Sequence, residues 1–234
     1  MHPKFELFEG DIRNIDDCME ACKGIDAISH QEALGSVPRS IGDPINSHNV
    51  NVNGFINVLE AAKVTGIKRI VYASSSAVYG DLQESPKLET RVGKVLSPYA
   101  ATKMSNELYA EAYVKNYDMT ICGFRYFNVF GPKQDPEGPY AAVIPLFIKA
   151  ALQNTSPTIN GDGTITRDFT PVANVVQINT LGLMQPLEEG KHYVFNVACG
   201  HTIILPESWT RGLVKKSLNL TKRYDQTNPT QIHA

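Results

Sequence analysis

The sequence has little of several features that mark particular protein classes. It contains one tryptophan and four cysteines in 234 residues, and the cysteines show neither a Cys-x-x-Cys pair nor the spacing of a zinc site. Its longest apolar run, 141–152, is too short for a membrane span and contains Pro145 and Lys149. Charge is balanced, with 22 basic and 24 acidic residues and a formal net charge of −2. We therefore expect no metal site and no binding to nucleic acid or membranes.

What is present is the composition of an ordinary globular protein, 42% hydrophobic and 20% charged. Cys18 and Cys22 would lie one helical turn apart, which favours reduced thiols over a disulfide. The N-terminus lacks the basic and then apolar segments of a signal peptide. These features predict a cytoplasmic protein.

Short apolar runs alternate with helical patterns along the chain. The predicted strands are 5–9, 25–29, 69–73, 120–125 and 193–197. The predicted helices are 15–22, 48–65, 98–116, 141–153 and 173–186. This alternation predicts a doubly wound α/β fold, in which a parallel sheet has helices on both faces and binds ligands at the carboxyl ends of its strands.

A segment rich in proline and glycine, 131–139, breaks the alternation. It predicts a main domain over 1–131 and a smaller region over 132–220. The chain is polar and without pattern from 221 to 234, which predicts a loose tail.

Two groups of residues could carry chemistry. Tyr99 and Lys103 share a helix face, and a nearby cation favours the phenolate form of tyrosine, which suits proton transfer. In isolation such a pair arises often by chance. Ser74, Ser75 and Ser76 follow the predicted strand 69–73, at the end where such sheets bind ligands. The competing interpretation is a turn whose hydroxyls cap backbone groups.

Three motifs, SSAVYG at 75–80, SPYAATK at 97–103 and RYFNVFGP at 125–132, resemble those of the nucleotide-sugar epimerases in the extended short-chain dehydrogenase/reductase family. The similarity covers about residues 5–200. The stretches 30–40, 138–145 and 160–169 are similar to the UDP-GlcNAc/UDP-GalNAc 4-epimerases of bacterial polysaccharide synthesis.

The resemblance implies a Rossmann-like fold and NAD-dependent 4-epimerisation of a UDP-sugar. Tyr99 would take the proton of the sugar 4-hydroxyl while NAD takes hydride from C4, and the keto-sugar would rotate before the hydride returns. Lys103 would hold the nicotinamide ribose and keep the pKa of Tyr99 low, and Ser75 falls at the catalytic serine position. The family also implies a homodimer through the helices 48–65 and 98–116.

The resemblance assigns further residues to binding. Besides Tyr99 and Lys103, the cofactor-binding residues are Asp11, Ile12, His30, Asn51 and Tyr126. The substrate-binding residues are Gly35, Ser36, Arg39, Ser74, Ser75, Ser76, Asn128, Ala142, Val143 and Arg167, with Tyr140 and Ala141 beside them. Arg167 suits a diphosphate because guanidinium donates paired hydrogen bonds, although an ion pair with Asp168 is the alternative. For Asn51 the alternative is an exposed helix position, and for 140–143 it is core packing.

The sequence departs from the family in one important respect. It has no Gly-x-x-Gly-x-x-Gly turn, whose amides bind the cofactor diphosphate. The segment 5–9 corresponds to the family's third strand, so we expect the first βαβ unit, about 60 residues, to be missing. We accordingly expect weak NAD binding by this chain. The alternatives are an inactive or truncated member, or a related dehydratase, decarboxylase or reductase. A 4,6-dehydratase is disfavoured by Ser76 and Ala77, which stand where those enzymes have an Asp-Glu pair.

Overall fold

The computed structural model describes residues 4–135, 137–138, 142–157 and 166–204. Its helices are α1 (Ile15–Ala21), α2 (Val37–Gly42), α3 (Pro44–His48), α4 (Gly54–Thr65), α5 (Pro98–Tyr117), α6 (Val143–Leu152) and α7 (Val172–Met184). Its strands are β1 (Ala27–His30), β2 (Arg69–Ser75), β3 (Thr120–Tyr126), β4 (Val129–Phe130), β5 (Thr166–Asp168), β6 (Thr170–Pro171), β7 (His192–Val197) and β8 (Thr202–Ile204). A π-helical turn, Asn49–Asn53, precedes α4, and a 3₁₀ turn, Ser76–Tyr79, follows β2.

Four strands form the central sheet in the order β1-β2-β3-β7, and every neighbouring pair is parallel. Parallel neighbours need crossover connections, and here each connection contains at least one helix. The predicted α/β fold with a Rossmann-like parallel sheet is thereby confirmed.

The strands β2 and β3 are buried on both faces of the sheet. Ile70 and Ile121 pack with residues of α1, α4 and α5 on one face. Val71 and Phe124 pack against α7 on the other face, because successive side chains of a strand point to opposite sides. Burial on both faces explains why these strands appear in the sequence as continuous apolar runs.

Gly123 on β3 makes room for a large side chain of β2. A Cβ atom at this position would lie 2.5 Å from the Oη of Tyr72. The Tyr72 ring therefore crosses β3, and its hydroxyl lies 3.0 Å from Nε2 of His192 at the start of β7. The His192 ring in turn contacts Glu111 of α5 through Nδ1, at 3.2 Å.

The prediction of a strand over 5–9 is wrong. These residues have no regular secondary structure, and Phe5, Leu7 and Phe8 are exposed. A strand needs a neighbouring backbone to accept and donate its hydrogen bonds. Within the described part of the chain, no strand pairs with this segment.

The predicted helix 48–65 is divided by the π-helical turn. The α3 helix ends at His48, and α4 begins at Gly54. A Cβ atom at Gly54 would lie 2.6 Å from Cδ1 of Ile12, so the small residue lets the start of α4 lie against the segment before α1. The α4 helix ends at Thr65, and Gly66 after it adopts the left-handed conformation that is typical where a helix terminates.

The described residues form two compact units. The first contains the residues up to Phe127 together with Asn174–Val197, and so includes the whole central sheet. The predicted boundary at 131–132 lies close to this division, but 174–197 joins the first unit rather than the smaller region because β7 pairs with β3. Among these residues no helix is both long and apolar enough to cross a membrane.

The second unit contains Asn128–Ala173 and the described residues from Ala198 onward. Its strands form two small sheets, β4 with β6 in parallel and β5 with β8 antiparallel. The predicted tail 221–234, the motif 160–163, and Tyr140 and Ala141 lie outside the described residues.

Candidate active site

The carboxyl end of β2 carries the predicted serines, and each has a different environment. Ser74 is buried, and its Oγ donates a 2.6 Å hydrogen bond to Oε1 of Glu107 on α5. Ser75, the last residue of β2, is half-buried, and its Oγ accepts the backbone N–H of Ala77 at 3.1 Å. Ser76 begins the 3₁₀ turn. The capping role weighed from the sequence is therefore observed for Ser75, and the hydroxyl keeps its donor capacity because it acts there as an acceptor.

Helix α5 begins with a cap that fixes the position of Tyr99. Ser97 Oγ accepts the N–H of Ala100 at 3.1 Å, and Pro98 occupies the first helical turn, where proline is well tolerated. The N–H of Tyr99 donates to Oγ of Ser40, on α2, at 3.0 Å. The Tyr99 side chain is half-buried.

Lys103, one turn further along α5, is 1% exposed. Its Nζ donates to the carbonyl oxygen of Ala73 on β2 at 2.7 Å. Burial lowers the pKa of Lys103 to about 8, against the opposing effect of the Glu32 carboxylate. The lysine thus connects α5 directly to the strand that carries Ser75.

His30 ends β1 and is also buried. Among the described residues, its Nε2 has no hydrogen-bond partner. Burial, with a smaller contribution from the charge of Lys103, lowers the pKa of His30 to about 3, so the ring is neutral at pH 7. A buried, unpaired ring nitrogen is a candidate contact for a ligand.

A cavity of about 540 Å³ lies in the first unit, beside β1. It brings together three of the predicted cofactor-binding residues, Asp11, Ile12 and His30. The side chain of Asp11 accepts hydrogen bonds from Arg13, which lower the pKa of Asp11 to about 2. Glu32 also lines the cavity, whose described lining contains no lysine or arginine.

Asn51 lies in the π-helical turn and is 1% exposed, so the exposed helix position weighed from the sequence is wrong. Its Oδ1 accepts the N–H of Leu34 at 2.7 Å, and its Nδ2 donates to Thr102 Oγ1 at 3.1 Å and to the Leu34 carbonyl at 3.3 Å. The amide therefore connects the loop after β1 to the residue that precedes Lys103.

Tyr126 ends β3, with its hydroxyl donating to Gln31 at 2.9 Å and accepting from Asn179 at 2.7 Å. Burial raises the pKa of Tyr126.

Of the substrate-binding residues predicted in the first unit, Gly35 is exposed, and Ser36 caps α2 by accepting the N–H of Arg39 at 3.2 Å. This loop and α2 contact the start of α5 through Ser40.

The remaining predicted substrate residues belong to the second unit. Asn128 has a positive φ of 32°, and its Nδ2 donates to the carbonyl of Asp168 at 2.8 Å. Arg167 is exposed, and the carboxylate of Asp168 accepts the N–H groups of Cys199 and Gly200 at 2.9 and 2.7 Å. The last two, Ala142 and Val143, form the N-cap and first residue of α6.

The structure also contains a buried polar cluster that the sequence interpretation missed. Arg125 of β3 donates to both carboxylate oxygens of Glu107, from Nε at 2.9 Å and from Nη2 at 2.7 Å. Arg125 Nη1 also donates to the Tyr79 hydroxyl at 3.0 Å. The signal available in the sequence was the spacing of Glu107, four residues after Lys103 on the same face of α5.

Ser75 lies at the carboxyl end of β2, and Tyr99 and Lys103 lie at the start of the helix that follows it. This is the edge at which proteins of the class with open, parallel α/β sheets bind their ligands. The sequence of residues 1–198 matches the family model described as "NAD dependent epimerase/dehydratase family". The chain belongs to this family.

Individual relatives agree with this assignment. The UDP-glucose 4-epimerase of Mycolicibacterium smegmatis is 38% identical over 175 residues, which cover 74% of this chain and 56% of the relative. The first curated relatives are matched over 56% to 64% of their own lengths, so the chain spans less than two thirds of them.

Two solved structures are similar over most of this chain. UDP-N-acetylglucosamine 4-epimerase from Methanobrevibacter ruminantium, in complex with UDP-N-acetylmuramic acid, has a TM-score of 0.83 and 35% identity, covering 94% of this chain and 68% of that one. UDP-glucose 4-epimerase from Thermus thermophilus, in complex with NAD, has a TM-score of 0.81 and 30% identity, covering 94% of this chain and 71% of that one.

Proposed function

We propose that the protein to which this chain belongs is an NAD-dependent 4-epimerase of a UDP-sugar. The observation that carries the proposal is the connection of Lys103 to Ala73, which fixes the helix of Tyr99 beside the strand end that carries Ser75. Family membership and the two similar solved structures support it.

In the proposed reaction, Tyr99 accepts the proton of the sugar 4-hydroxyl and later returns it, which a cation at Lys103 favours. The hydroxyl of Ser75 donates to the same sugar oxygen. NAD, when bound, supplies the acceptor and donor of the C4 hydride. The 4-keto sugar then presents its other face, which requires firm anchoring of the diphosphate, and for this we propose Asn128 and Arg167.

The residues of the first unit fit the nucleoside parts of NAD. His30, whose Nε2 has no hydrogen-bond partner among the described residues, lines one cavity together with Asp11 and Glu32. Residues with a ring nitrogen and carboxylates suit ribose hydroxyls or an exocyclic amino group. The same lining contains no cation among its described residues, and these 234 residues include no glycine-rich phosphate turn. We therefore propose that the isolated chain holds NAD weakly, and a stoichiometric NAD complex of the purified chain would contradict this.

The specific substrate we propose is UDP-GlcNAc, interconverted with UDP-GalNAc. The sequence stretches 30–40 and 138–145 support it, as does similarity to the Methanobrevibacter enzyme. UDP-glucose is the competing substrate because the Mycolicibacterium relative is a UDP-glucose 4-epimerase.

We also propose that the protein is cytoplasmic, in keeping with the buried thiols of Cys18, Cys22 and Cys122.

The test is incubation of the protein with NAD and each UDP-sugar separately, with the epimers quantified from their anomeric proton NMR signals. Turnover of UDP-GlcNAc that exceeds turnover of UDP-glucose is the expected result, and the reverse order would overturn the proposed choice of substrate.

Tyr99→Phe is expected to lower kcat by about a thousandfold because it removes the proton acceptor. Tyr109→Phe, on the same helix and 41% exposed, is the matched control and should keep full turnover. Undiminished turnover in Tyr99→Phe would contradict the proposed base.

We further propose a homodimer formed through α4 and α5. Val64 on α4 and Leu108 on α5 are 63% and 65% exposed, and Lys63 lies over the ring of Tyr117 with Nζ 4.7 Å from the ring centroid. Exposed apolar side chains on two adjacent helices are typical of a helix-packing interface.

A further inference from the structure

Lys103 and Glu107 lie four residues apart on one face of α5, and each of them contacts the central sheet. Lys103 donates to the Ala73 carbonyl at 2.7 Å. Glu107, the next in the row, accepts from Ser74 Oγ at 2.6 Å. The helix is thus connected to two consecutive residues of β2, and the residue that follows them is Ser75.

Glu107 is itself held from a third direction. Both of its oxygens accept from the guanidinium of Arg125 on β3, and the two side chains are 8% and 5% exposed. Paired hydrogen bonds from a planar guanidinium fix the orientation of a carboxylate as well as its position. Glu107 therefore meets β2 and β3 in one defined geometry.

Arg125 extends the cluster to the 3₁₀ turn and the loop after it. Its Nη1 donates to the Tyr79 hydroxyl and to the Glu89 carbonyl, both at 3.0 Å. The Tyr79 hydroxyl donates to Oδ1 of Asn196 at 2.6 Å, and Nδ2 of Asn196 donates to the Lys87 carbonyl at 2.8 Å. The segment between Ser75 and α5 is therefore held by the same cluster that holds Glu107.

We propose that Glu107 is a positioning residue that sets the distance and register between the helix of Tyr99 and Lys103 and the strand end of Ser75. This inference rests on the proposed function for the roles of those three residues. Glu107 is buried, and its carboxylate oxygens accept from Arg125 and Ser74, so it acts through Ser74 and through the helix that it shares with Lys103. Small displacements of reacting groups cost large factors in rate, so the contact matters beyond its contribution to folding.

The test uses changes that leave the net charge of the cluster unaltered. Ser74→Ala removes the contact between Glu107 and β2. The substrate-binding role that the resemblance assigns to Ser74 predicts a rise in KM for this variant instead, so the second readout below separates the two roles. The double variant Glu107→Met/Arg125→Met removes the ion pair without leaving one charge buried. Glu111→Gln, one turn further along α5 and 45% exposed, is the matched control.

The first readout is the pKa of Lys103, measured by an NMR titration of the purified chain with its lysines labelled at Cε. The Lys103 signal is the one that disappears in Lys103→Met. If Glu107 holds the strand and helix together, water reaches Nζ in Ser74→Ala and in the double variant. The pKa of Lys103 then rises by about one unit from its lowered value, whereas it stays within about 0.3 units in Glu111→Gln. An unchanged pKa of Lys103 in folded Ser74→Ala would overturn the proposal. If the double variant does not fold, the result for Ser74→Ala alone is sufficient for the test.

The second readout is the split between kcat and KM in the enzyme with NAD. We expect Ser74→Ala to lower kcat about tenfold and to leave KM for the UDP-sugar within about twofold. An increase in KM with unchanged kcat would overturn positioning. Absence of turnover in the unmodified protein at saturating NAD would contradict the proposed function alone, because the Lys103 titration is measured without turnover.

Discussion

The Nζ of Lys103 lies 2.7 Å from the carbonyl oxygen of Ala73, two residues before Ser75. The ammonium is thus held against an uncharged backbone oxygen, in a site that is 1% exposed. Among the residues that the structure describes, no carboxylate forms an ion pair with this ammonium. Burial of such a cation is costly, and the protein retains it at the point where we propose that proton transfer occurs.

The pH dependence of unfolding should report this burial. The pKa of Lys103 is lowered from 10.5 in the unfolded chain to about 8 in the folded protein, so the unfolded state binds more protons between these values. The free energy of unfolding should therefore rise from pH 8 to pH 10.5, by at most about 3 kcal/mol from this group. Lys103→Met should remove that rise in urea unfolding measured at pH 7, 8, 9 and 10. Lys115→Met, at an exposed position, should keep it.

A second titration effect is expected at acid pH. The pKa of His30 falls from 6.5 to about 3 on folding. The free energy of unfolding should therefore decrease as the pH falls from 6.5 toward 3, by up to about 5 kcal/mol from this group. His30→Leu should reduce the loss of unfolding free energy between pH 7 and pH 4. The exposed His48→Gln is the control, and an equal acid sensitivity in wild type and His30→Leu would refute the assignment.

Gly123 is expected to tolerate no side chain. In Gly123→Ala the new Cβ would lie 2.5 Å from the Tyr72 Oη in the centre of the sheet, and relief requires movement of a buried ring. We expect a loss of about 2 kcal/mol in the free energy of unfolding by urea. At Gly42 a Cβ would meet no atom within 4 Å, so Gly42→Ala should be neutral or slightly stabilising. Equal stability of the two variants would show that the sheet relaxes freely.

Removal of one partner of the buried ion pair should cost much more than removal of both. Glu107→Gln leaves the Arg125 guanidinium buried without its carboxylate, and we expect a loss of about 3 kcal/mol or more. Glu107→Met/Arg125→Met should lie close to the wild type in equilibrium urea unfolding. Glu84→Gln, which breaks an exposed pair with Arg91, serves as the control and should cost less than about 1 kcal/mol.

The proposed dimer predicts a change in sedimentation. Leu108→Glu places a charge on the exposed apolar face of α5 and should convert the dimer to monomer in sedimentation velocity measurements. Leu152→Glu, on α6 and 61% exposed, should leave the dimer intact. A wild-type protein that sediments as a monomer at assay concentration would contradict the interface.

The central elements could be predicted from sequence because local signals agreed with the fold. The strand expected at 69–73 occurs at Arg69–Ser75, and the helix expected at 98–116 occurs at Pro98–Tyr117. A continuous apolar run marks the first, and the Ser97 cap with Pro98 marks the start of the second.

Other features depend on contacts between residues far apart in the chain. The run 5–9 has the pattern of a strand but no neighbour to pair with among the described residues, and a strand cannot form from pattern alone. The resemblance assigns Asn51 to cofactor binding, which stays a prediction, and the structure adds that its amide bonds to Leu34 and Thr102. No local signal in the sequence indicates which backbone groups a buried amide will meet.

The ion pair between Glu107 and Arg125 also has an evolutionary consequence. A change at one position alone passes through a protein with a buried, uncompensated charge, whereas a change at both avoids it. Positions 107 and 125 are therefore expected to change together, or not at all, in descendants of this chain. A substitution at only one of them would indicate that the relative positions of Tyr99, Lys103 and Ser75 are no longer under selection.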